Sequence, residues 1–158
     1  MERFQQISIF LLRISLGWMY FWAGITKVFN PEWSAAGYLQ KAKTFPEFFQ
    51  WLTTRSLLPS VNFLNEWGLT LLGVALILGV FVRVSSSLGM MLMLLYYLPI
   101  LQFPHPNPNS FLVDQHIIFI VALLVLISFR AGRTWGLENW CSSLPICSKF
   151  PKLRAWLG

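Results

Sequence analysis

The chain has 158 residues, of which 56% are hydrophobic and only 11% are charged, against roughly 25% charged residues in soluble globular domains. Its mean hydropathy is +0.58, which excludes an ordinary soluble protein and leaves room for one domain, placed in the lipid bilayer. The net charge of +6 comes without the alternation of aromatic and basic residues seen on nucleic-acid surfaces, so we expect no nucleic-acid partner.

Four apolar runs predict an all-α integral membrane protein built as a four-helix bundle. The runs cover about 7–29, 61–82, 84–103 and 111–129. Each approaches the ~20 residues that cross ~30 Å of hydrocarbon as a helix. We therefore predict a four-span membrane domain over residues 1–140 and a basic cytoplasmic tail over 141–158.

The first run contains polar and small residues at a helical spacing. Arg13, Gly17, Tyr20, Gly24 and Lys27 lie at i, i+4, i+7, i+11 and i+14, so they share one helix face. Charged side chains are costly in lipid, and glycines allow a second helix to approach closely. We predict that this face points into the bundle. The run is also too long, and too charged in its middle, for a cleaved signal peptide.

The connection 30–60 is rich in aromatic residues and predicts an amphipathic segment at the outer membrane interface. Phe45, Phe48, Phe49 and Leu52 lie at i, i+3, i+4 and i+7, which gives one apolar face. Two roles stay open for this segment. Its aromatic residues could simply anchor the chain at the interface, or the segment could form a lid over a site below it.

The second and fourth runs supply acidic partners for Lys27. Glu66 begins a face of the second span, and Asp114 lies near the start of the fourth. These three charges form either a structural ion cluster that fixes helix register or a pocket that handles a proton or an anionic substrate. Other polar side chains could converge on that pocket, namely Tyr20, Tyr96, Tyr97, His105 and His116.

Asp114 and His116 cannot both face this pocket from one regular helix. Two residues correspond to about 200° of helical rotation, so both face it only if the fourth helix begins later than predicted. No metal is expected, because the two histidines lack a third ligand and Cys141 and Cys147 match neither a redox pair nor a common zinc spacing.

Four spans place both termini on one side of the membrane. That side would hold eight basic residues, Arg3, Arg13, Arg83, Arg130, Arg133, Lys149, Lys152 and Arg154. The other side would hold four, Lys27, Lys41, Lys43 and Arg55. The positive-inside rule then predicts a multi-pass protein of the plasma (inner) membrane with cytoplasmic termini. At that inner end, Arg13 is expected to pair with Glu138 and to hold the segment after the fourth span against the first helix.

Three stretches carry a family resemblance: RISLGWMYFWAGITKVFNP, EWGLTLLGVALILGVFVR and DQHIIFIVALLVLISFRAGRTWGLENW. They resemble the DoxX-like superfamily, most closely the DoxD-type small subunit of thiosulfate:quinone oxidoreductase. The residues that match its motifs are Arg13, Gly17, Gly24, Lys27, Glu66, Asp114, His116, Arg133, Trp135 and Gly136. The resemblance implies a four-helix membrane protein that works with a partner subunit, oxidises thiosulfate to tetrathionate and passes electrons to a membrane quinone.

Two functions follow as hypotheses. In the first, the chain is a quinone-linked oxidoreductase subunit whose catalytic residues are Lys27, Glu66, Asp114 and His116. The substrate or the quinone then contacts Arg13, Tyr20, Tyr96 and His105. Structural roles fall to Gly17, Gly24, Arg133, Trp135, Gly136 and Glu138. In the second, the chain is a non-catalytic scaffold that recruits a partner redox protein or a second copy of itself. Solute transport is disfavoured because the chain lacks an inverted repeat.

Overall fold

The structure is a computed structural model that describes residues 2–138. It contains six α-helices and one 3-10 turn: α1 Arg3–Val28, α2 Ala36–Leu39, α3 Pro46–Trp51, α4 Leu58–Leu78, α5 Val82–Ile100, α6 Gln115–Ser128 and the turn Ala131–Arg133. No strand occurs between residues 2 and 138, so the all-α prediction is confirmed there. The predicted tail 141–158, with Cys141 and Cys147, lies outside the described residues.

Three of the helices are long and apolar enough to cross a membrane. They are α1 with 26 residues, α4 with 21 and α5 with 19. The apolar helix α6 has only 14 residues and is about 21 Å long at 1.5 Å per residue. It begins four residues later than the predicted start at 111. Leu112 has a φ of +56°, a left-handed conformation that a helix cannot contain, so the start predicted from apolarity alone was wrong.

Glycines bring α1 and α4 into close contact. A Cβ added at Gly73 on α4 would lie 2.5 Å from the Cα of Phe21 and 2.7 Å from the carbonyl oxygen of Gly17, both on α1. A Cβ at Gly24 would meet the hydroxyl of Thr70 and, at 2.9 Å, the carbonyl oxygen of Glu66. Glycine is therefore the only residue that permits this helix separation, as in other membrane helix pairs.

The helices α1, α4, α5 and α6 alternate in direction along the chain. Their ends therefore fall into two groups. At the end that contains Arg13, the N–H of Leu137 donates to the carbonyl of Leu78 at 3.0 Å. At the end that contains Lys27, the two longer connections, 29–57 and 101–114, lie together. We call these the Arg13 end and the Lys27 end. Between them, buried apolar side chains form the core, namely Leu16, Leu69, Leu76, Met93, Leu123 and Leu126.

The connection 29–57 packs onto the Lys27 end instead of forming one continuous helix. Phe49 is 1% exposed and packs in a small cluster with Ala35 and Leu39. The N–H of Lys43 donates to the carbonyl of Pro99 at 2.8 Å. The predicted four-residue apolar face does not form, because α3 ends at Trp51 and Phe45 adopts a φ of +52° and is 63% exposed.

Candidate functional site

A cavity of about 290 Å³ opens at the Lys27 end, below the segment 33–38. It is lined by Lys27, Trp33, Ser34, Ala35, Tyr38, Asn65, Tyr96 and His116. The lining side chains come from α1, α4, α5 and α6 and from the connection 29–57. The cavity is therefore formed by the tertiary fold and by no single element.

Lys27 is held at the cavity by aromatic side chains. Its Nζ donates to the hydroxyl of Tyr96 at 3.3 Å and lies 4.8 Å from the ring centroid of Trp33 and 5.5 Å from that of Tyr96. Cation–π contacts of this kind hold a lysine without neutralising its charge. Among the described residues, Lys27 makes no ion pair within 4.0 Å, so its charge remains available to an anionic ligand.

Asn65, and not Glu66, is the α4 residue that lines the cavity. Asn65 is buried, and its Oδ1 accepts a hydrogen bond from the hydroxyl of Tyr96. Glu66 is only partly buried, and its carbonyl oxygen accepts from the Thr70 hydroxyl at 2.7 Å. The direct ion network expected among Lys27, Glu66 and Asp114 is therefore not formed, because neighbouring residues on a helix lie about 100° apart.

Asp114 and the cavity-lining His116 contact each other because α6 begins at Gln115. Asp114 is the extended N-cap, and its Oδ1 accepts from the backbone N–H groups of His116 at 3.0 Å and Ile117 at 3.3 Å. Its Oδ2 lies 2.6 Å from Nδ1 of His116. A carboxylate at Nδ1 favours the proton on that nitrogen in the neutral ring, which leaves Nε2 as the basic nitrogen. Asp114 therefore holds His116, and His116 lines the cavity.

Tyr20 is not among the residues that line this cavity. Its side chain is 2% exposed, lies in the core near Gly89, and its hydroxyl makes no hydrogen bond with another described residue. Seven residues separate it from Lys27, which is about 10 Å along α1. The structure thus places Tyr20 deeper in the protein than the quinone contact expected from the sequence.

His105 and Arg13 also lie away from the cavity. His105 is exposed in the connection 101–114, where its Nδ1 lies 3.2 Å from the carbonyl oxygen of Ser110 and its ring packs on Phe111. Arg13 lies 14 residues before Lys27, about 21 Å along α1. Neither residue is among those that line the cavity, so the expected ligand contacts of Arg13 and His105 stay predictions that this cavity does not support.

Sequence reasoning missed three lining residues, Trp33, Tyr38 and Asn65. The Tyr38 hydroxyl donates to the backbone carbonyl of Tyr96 and thereby ties the segment 33–38 to α5. Burial, reinforced by the charge of Asp114, raises the pKa of Tyr38 to about 12, so this hydroxyl stays protonated at neutral pH. The signals available were the tryptophan after the first span and an asparagine beside Glu66 in the apolar run 61–82.

At the other end of the molecule, Arg13 binds backbone and not Glu138. Its guanidinium donates to the carbonyl oxygens of Ala131 at 2.7 Å and Trp135 at 3.3 Å. The ion pair of Glu138 is made with Arg133 at 3.7 Å. The predicted Arg13–Glu138 pair was wrong, although Arg13 does hold the segment after α6 against α1 by another set of contacts.

The segment 131–138 packs tightly against the ends of α1 and α4. A Cβ added at Gly136 would lie 2.5 Å from Nη1 of Arg13 and 2.9 Å from the carbonyl oxygen of Gly79. The ring of Trp135 packs edge-on against Phe10 with centroids 5.3 Å apart. Burial raises the pKa of the Glu138 carboxyl, and the nearby arginines, Arg133 first, oppose this shift.

The cavity at the Lys27 end combines groups that suit a small polar or anionic ligand. Lys27 supplies a positive charge, Tyr96 and Asn65 supply hydrogen-bonding groups, and the Asp114–His116 pair supplies an acid or base. Among residues 2–138, no cluster of histidine, cysteine and acidic side chains could hold a metal ion. The arrangement can bind an oxyanion or a carbonyl oxygen and can transfer a proton to or from it.

Comparison with known proteins gives one finding. A protein-family model described as DoxX matches residues 8–100, which is more than half of the chain. The match includes Lys27, Trp33, Asn65 and Tyr96, whereas Asp114 and His116 lie beyond it. No curated protein and no solved structure matches the chain significantly.

Proposed function

We propose that this chain, which belongs to the DoxX family of membrane proteins, is the membrane subunit of a quinone-linked oxidoreductase acting on thiosulfate or a related small sulfur compound. One observation carries the proposal. The Lys27 ammonium and the His116–Asp114 pair line the same small cavity at the end of apolar helices. A positive charge beside an acid–base pair suits a small anion whose oxidation is coupled to proton uptake by an acceptor.

The groups in the cavity are compatible with such ligands. Its volume of about 290 Å³ is at the lower end of the ~300–1,000 Å³ usual for small-molecule sites. The Lys27 ammonium and the Asn65 amide carry N–H donors for a sulfur oxyanion or for a quinone carbonyl. A bound quinone supplies the two-electron acceptor, and the reaction balances when two thiosulfate ions form one S–S bond and release two electrons, which the quinone takes up with two protons.

Each residue has a distinct role in this proposal. Lys27 attracts the anion and offsets its charge, while Trp33 and Tyr96 hold the ammonium in place. His116 transfers protons at Nε2, and Asp114 orients its ring and stabilises the charged imidazolium. Glu66 is placed outside the direct contacts, where its charge adds to the field without touching the ligand.

The membrane arrangement that accompanies this function is also a proposal. Here α6 serves as a shorter fourth span that completes a four-helix bundle, and the connection 29–57 lies at the outer interface. The chain is placed in the plasma (inner) membrane with both termini in the cytoplasm, following its charge distribution. A partner subunit or a second copy of the chain then supplies the further binding and reacting groups that a complete reaction needs.

The test is quinone reduction with thiosulfate as donor, by the protein purified with its natural partners and placed in nanodiscs. Lys27→Met and His116→Gln should each lower the rate at least about 100-fold, as loss of a charge-stabilising or proton-transferring group does in other enzymes. Lys41→Met is the matched control, since it removes an exposed positive charge at the same end without lining the cavity. Equal activity in Lys27→Met and Lys41→Met would refute the proposal.

The scaffold function is the second candidate, and exposed aromatic side chains favour it. Phe45 is 63% exposed, Phe48 48% and Trp51 56%, so α3 presents an apolar surface that a partner could cover. Under this alternative, Lys27→Met leaves partner recovery and partner activity unchanged, whereas Phe48→Ser with Trp51→Ser abolishes co-purification. The oxidoreductase proposal instead expects Lys27→Met to lower the activity.

A further inference from the structure

A second cavity, of about 260 Å³, lies at the Arg13 end between the start of α5 and the end of α6. Its polar lining consists of Arg83, Ser128, Arg130 and Glu138, and its apolar lining includes Leu126 and Ile127. Nothing in the proposed oxidoreductase function uses these residues. The cavity is therefore a separate feature, about the length of the protein away from Lys27.

The cavity lies at the boundary of the apolar part of the fold. Arg83 is the second residue of α5, and Ser128 is the last residue of α6. Within two turns of these residues the same helices carry exposed apolar side chains, with Leu88 47% and Leu124 52% exposed. Basic residues at the ends of apolar membrane helices lie at the level of the lipid head groups.

The charges of the cavity suit a phosphate group. Arg83 and Arg130 are both exposed on its wall, and guanidinium groups bind phosphate oxygens through paired hydrogen bonds. The first N–H groups of α5, at Val82 and Arg83, lie in the same place and favour negative charge. Basic pockets between membrane helices bind phospholipid head groups in this way.

Glu138 adds an acidic side chain to the otherwise basic lining of this cavity. Its Oε1 faces Arg133, but its Oε2 is buried and makes no hydrogen bond with another described residue. A buried carboxylate oxygen without a donor is costly. A ligand that carries both a phosphate and a hydrogen-bond donor would satisfy the arginines and this oxygen together.

We propose that this cavity binds the head group of a membrane phospholipid, with its phosphate on Arg83 and Arg130 and an amine or hydroxyl of the head group donating to Oε2 of Glu138. Phosphatidylethanolamine and phosphatidylglycerol carry such a donor, whereas the quaternary ammonium of phosphatidylcholine carries none. The site rests on the lining residues alone and stands whether or not the chain is an oxidoreductase.

The test is lipid retention by the full chain, purified in detergent, delipidated and exposed to each of these three lipids before native mass spectrometry. Phosphatidylethanolamine and phosphatidylglycerol should be retained at least about tenfold more than phosphatidylcholine. Arg83→Met with Arg130→Met should remove most of this retention, while Arg55→Met, at the Lys27 end, should leave it unchanged. If the Met variant does not fold, Arg83→Lys with Arg130→Lys keeps both charges and should still weaken retention several-fold.

Two further measurements separate the parts of the proposal. Glu138→Met should abolish the preference for phosphatidylethanolamine over phosphatidylcholine, because both acceptor oxygens are lost while the arginines remain. Millimolar inorganic phosphate should not displace the lipid. Displacement would assign the cavity to a free phosphate compound, and equal retention of all three lipids by the wild type would refute a head-group site.

Discussion

Arg13 shows how a fully buried charge is held by backbone carbonyl groups, with no ion pair within 4.0 Å among the described residues. Its side chain is 0% exposed, and its two hydrogen bonds go to carbonyl oxygens of the segment 131–138. Carbonyl dipoles can offset the cost of taking a guanidinium out of water because the fork of the side chain reaches two of them at once. The charge therefore fixes the position of a segment that contains the 3-10 turn Ala131–Arg133 but no long helix.

We predict that Arg13→Met lowers the free energy of unfolding by about 3 kcal/mol, since it removes two charge-assisted hydrogen bonds from a fully buried side chain. Arg13→Lys should lose part of this, because an ammonium does not reproduce the planar fork. Unfolding by denaturant in detergent measures the difference. Arg3→Met, an exposed arginine of the same helix, is the control and should change stability by less than about 0.5 kcal/mol. A similar loss in both variants would contradict this role of Arg13.

Asp114 has two roles that substitution can separate. It caps α6 through two backbone N–H groups, and it holds the His116 ring through its second oxygen. Asp114→Ala should cost about 0.5–2 kcal/mol of stability from loss of the cap. Asp114→Asn keeps a capping oxygen and should cost less, while it still removes the carboxylate from His116.

The measurement for Asp114 combines unfolding in detergent with NMR of the His116 ring nitrogens, which shows which nitrogen carries the proton. In Asp114→Asn the share of His116 rings with the proton on Nδ1 should fall relative to the wild type, because an amide oxygen accepts from Nδ1–H less strongly than a carboxylate does. Stability and the position of the ring proton should therefore respond differently to the two variants. If Asn and Ala change both to the same extent, the cap and the ring contact are not separate functions.

At the level of whole elements, the α1–α4 pair depends on two helix backbones in direct contact. Gly17, Gly24 and Gly73 lie where the helices meet, and the atoms they face are largely backbone. Backbone cannot move aside as a flexible side chain does, so a methyl group there must separate the helices. Gly68 lies on the same helix α4 but faces open space, with nothing within 4 Å of an added Cβ.

We predict opposite effects for the same substitution at Gly73 and Gly68. Gly73→Ala should destabilise the protein by about 3 kcal/mol, at the upper end of overpacking costs, because the methyl group would overlap α1. Gly68→Ala should stabilise it by about 0.5–1 kcal/mol through the better helix propensity of alanine. Thermal unfolding in one detergent compares the two directly. Equal effects of the same sign would show that α1 and α4 do not pack at this separation.

Sequence periodicity predicted the helices more accurately than it predicted the residues that line the cavity. The charge of Lys27 in an apolar run predicted an inward face at the correct end. The sequence pointed to Glu66, because a charge is a strong signal in an apolar run. Asn65 was missed because its partner, the hydroxyl of Tyr96, is apparent only in the tertiary fold. The start of α6 was predicted too early for a similar reason. The carbonyl oxygen of Leu112 accepts a hydrogen bond from the hydroxyl of Tyr97 at 2.6 Å, and this contact is apparent only in the tertiary fold.

For the molecule as a whole, the two ends differ in charge and in composition. Among the described residues, the Arg13 end carries five basic residues, all arginine: Arg3, Arg13, Arg83, Arg130 and Arg133. The Lys27 end carries four, Lys27, Lys41, Lys43 and Arg55. The sequence beyond residue 138 adds Lys149, Lys152 and Arg154 on the side of the C-terminus. This bias predicts that the Arg13 end faces the cytoplasm.

Cysteine labelling of intact cells tests this orientation, because the sequence has only two cysteines and both follow the last apolar helix. A membrane-impermeant maleimide should label Cys141 and Cys147 only after the membrane is opened. In a background with Cys141→Ser and Cys147→Ser, Ser56→Cys, exposed at the Lys27 end, should be labelled without opening it. Labelling of both proteins in detergent is the control for reactivity. The reverse pattern would place the Lys27 cavity on the cytoplasmic side, and its anionic ligand would then have to come from inside the cell.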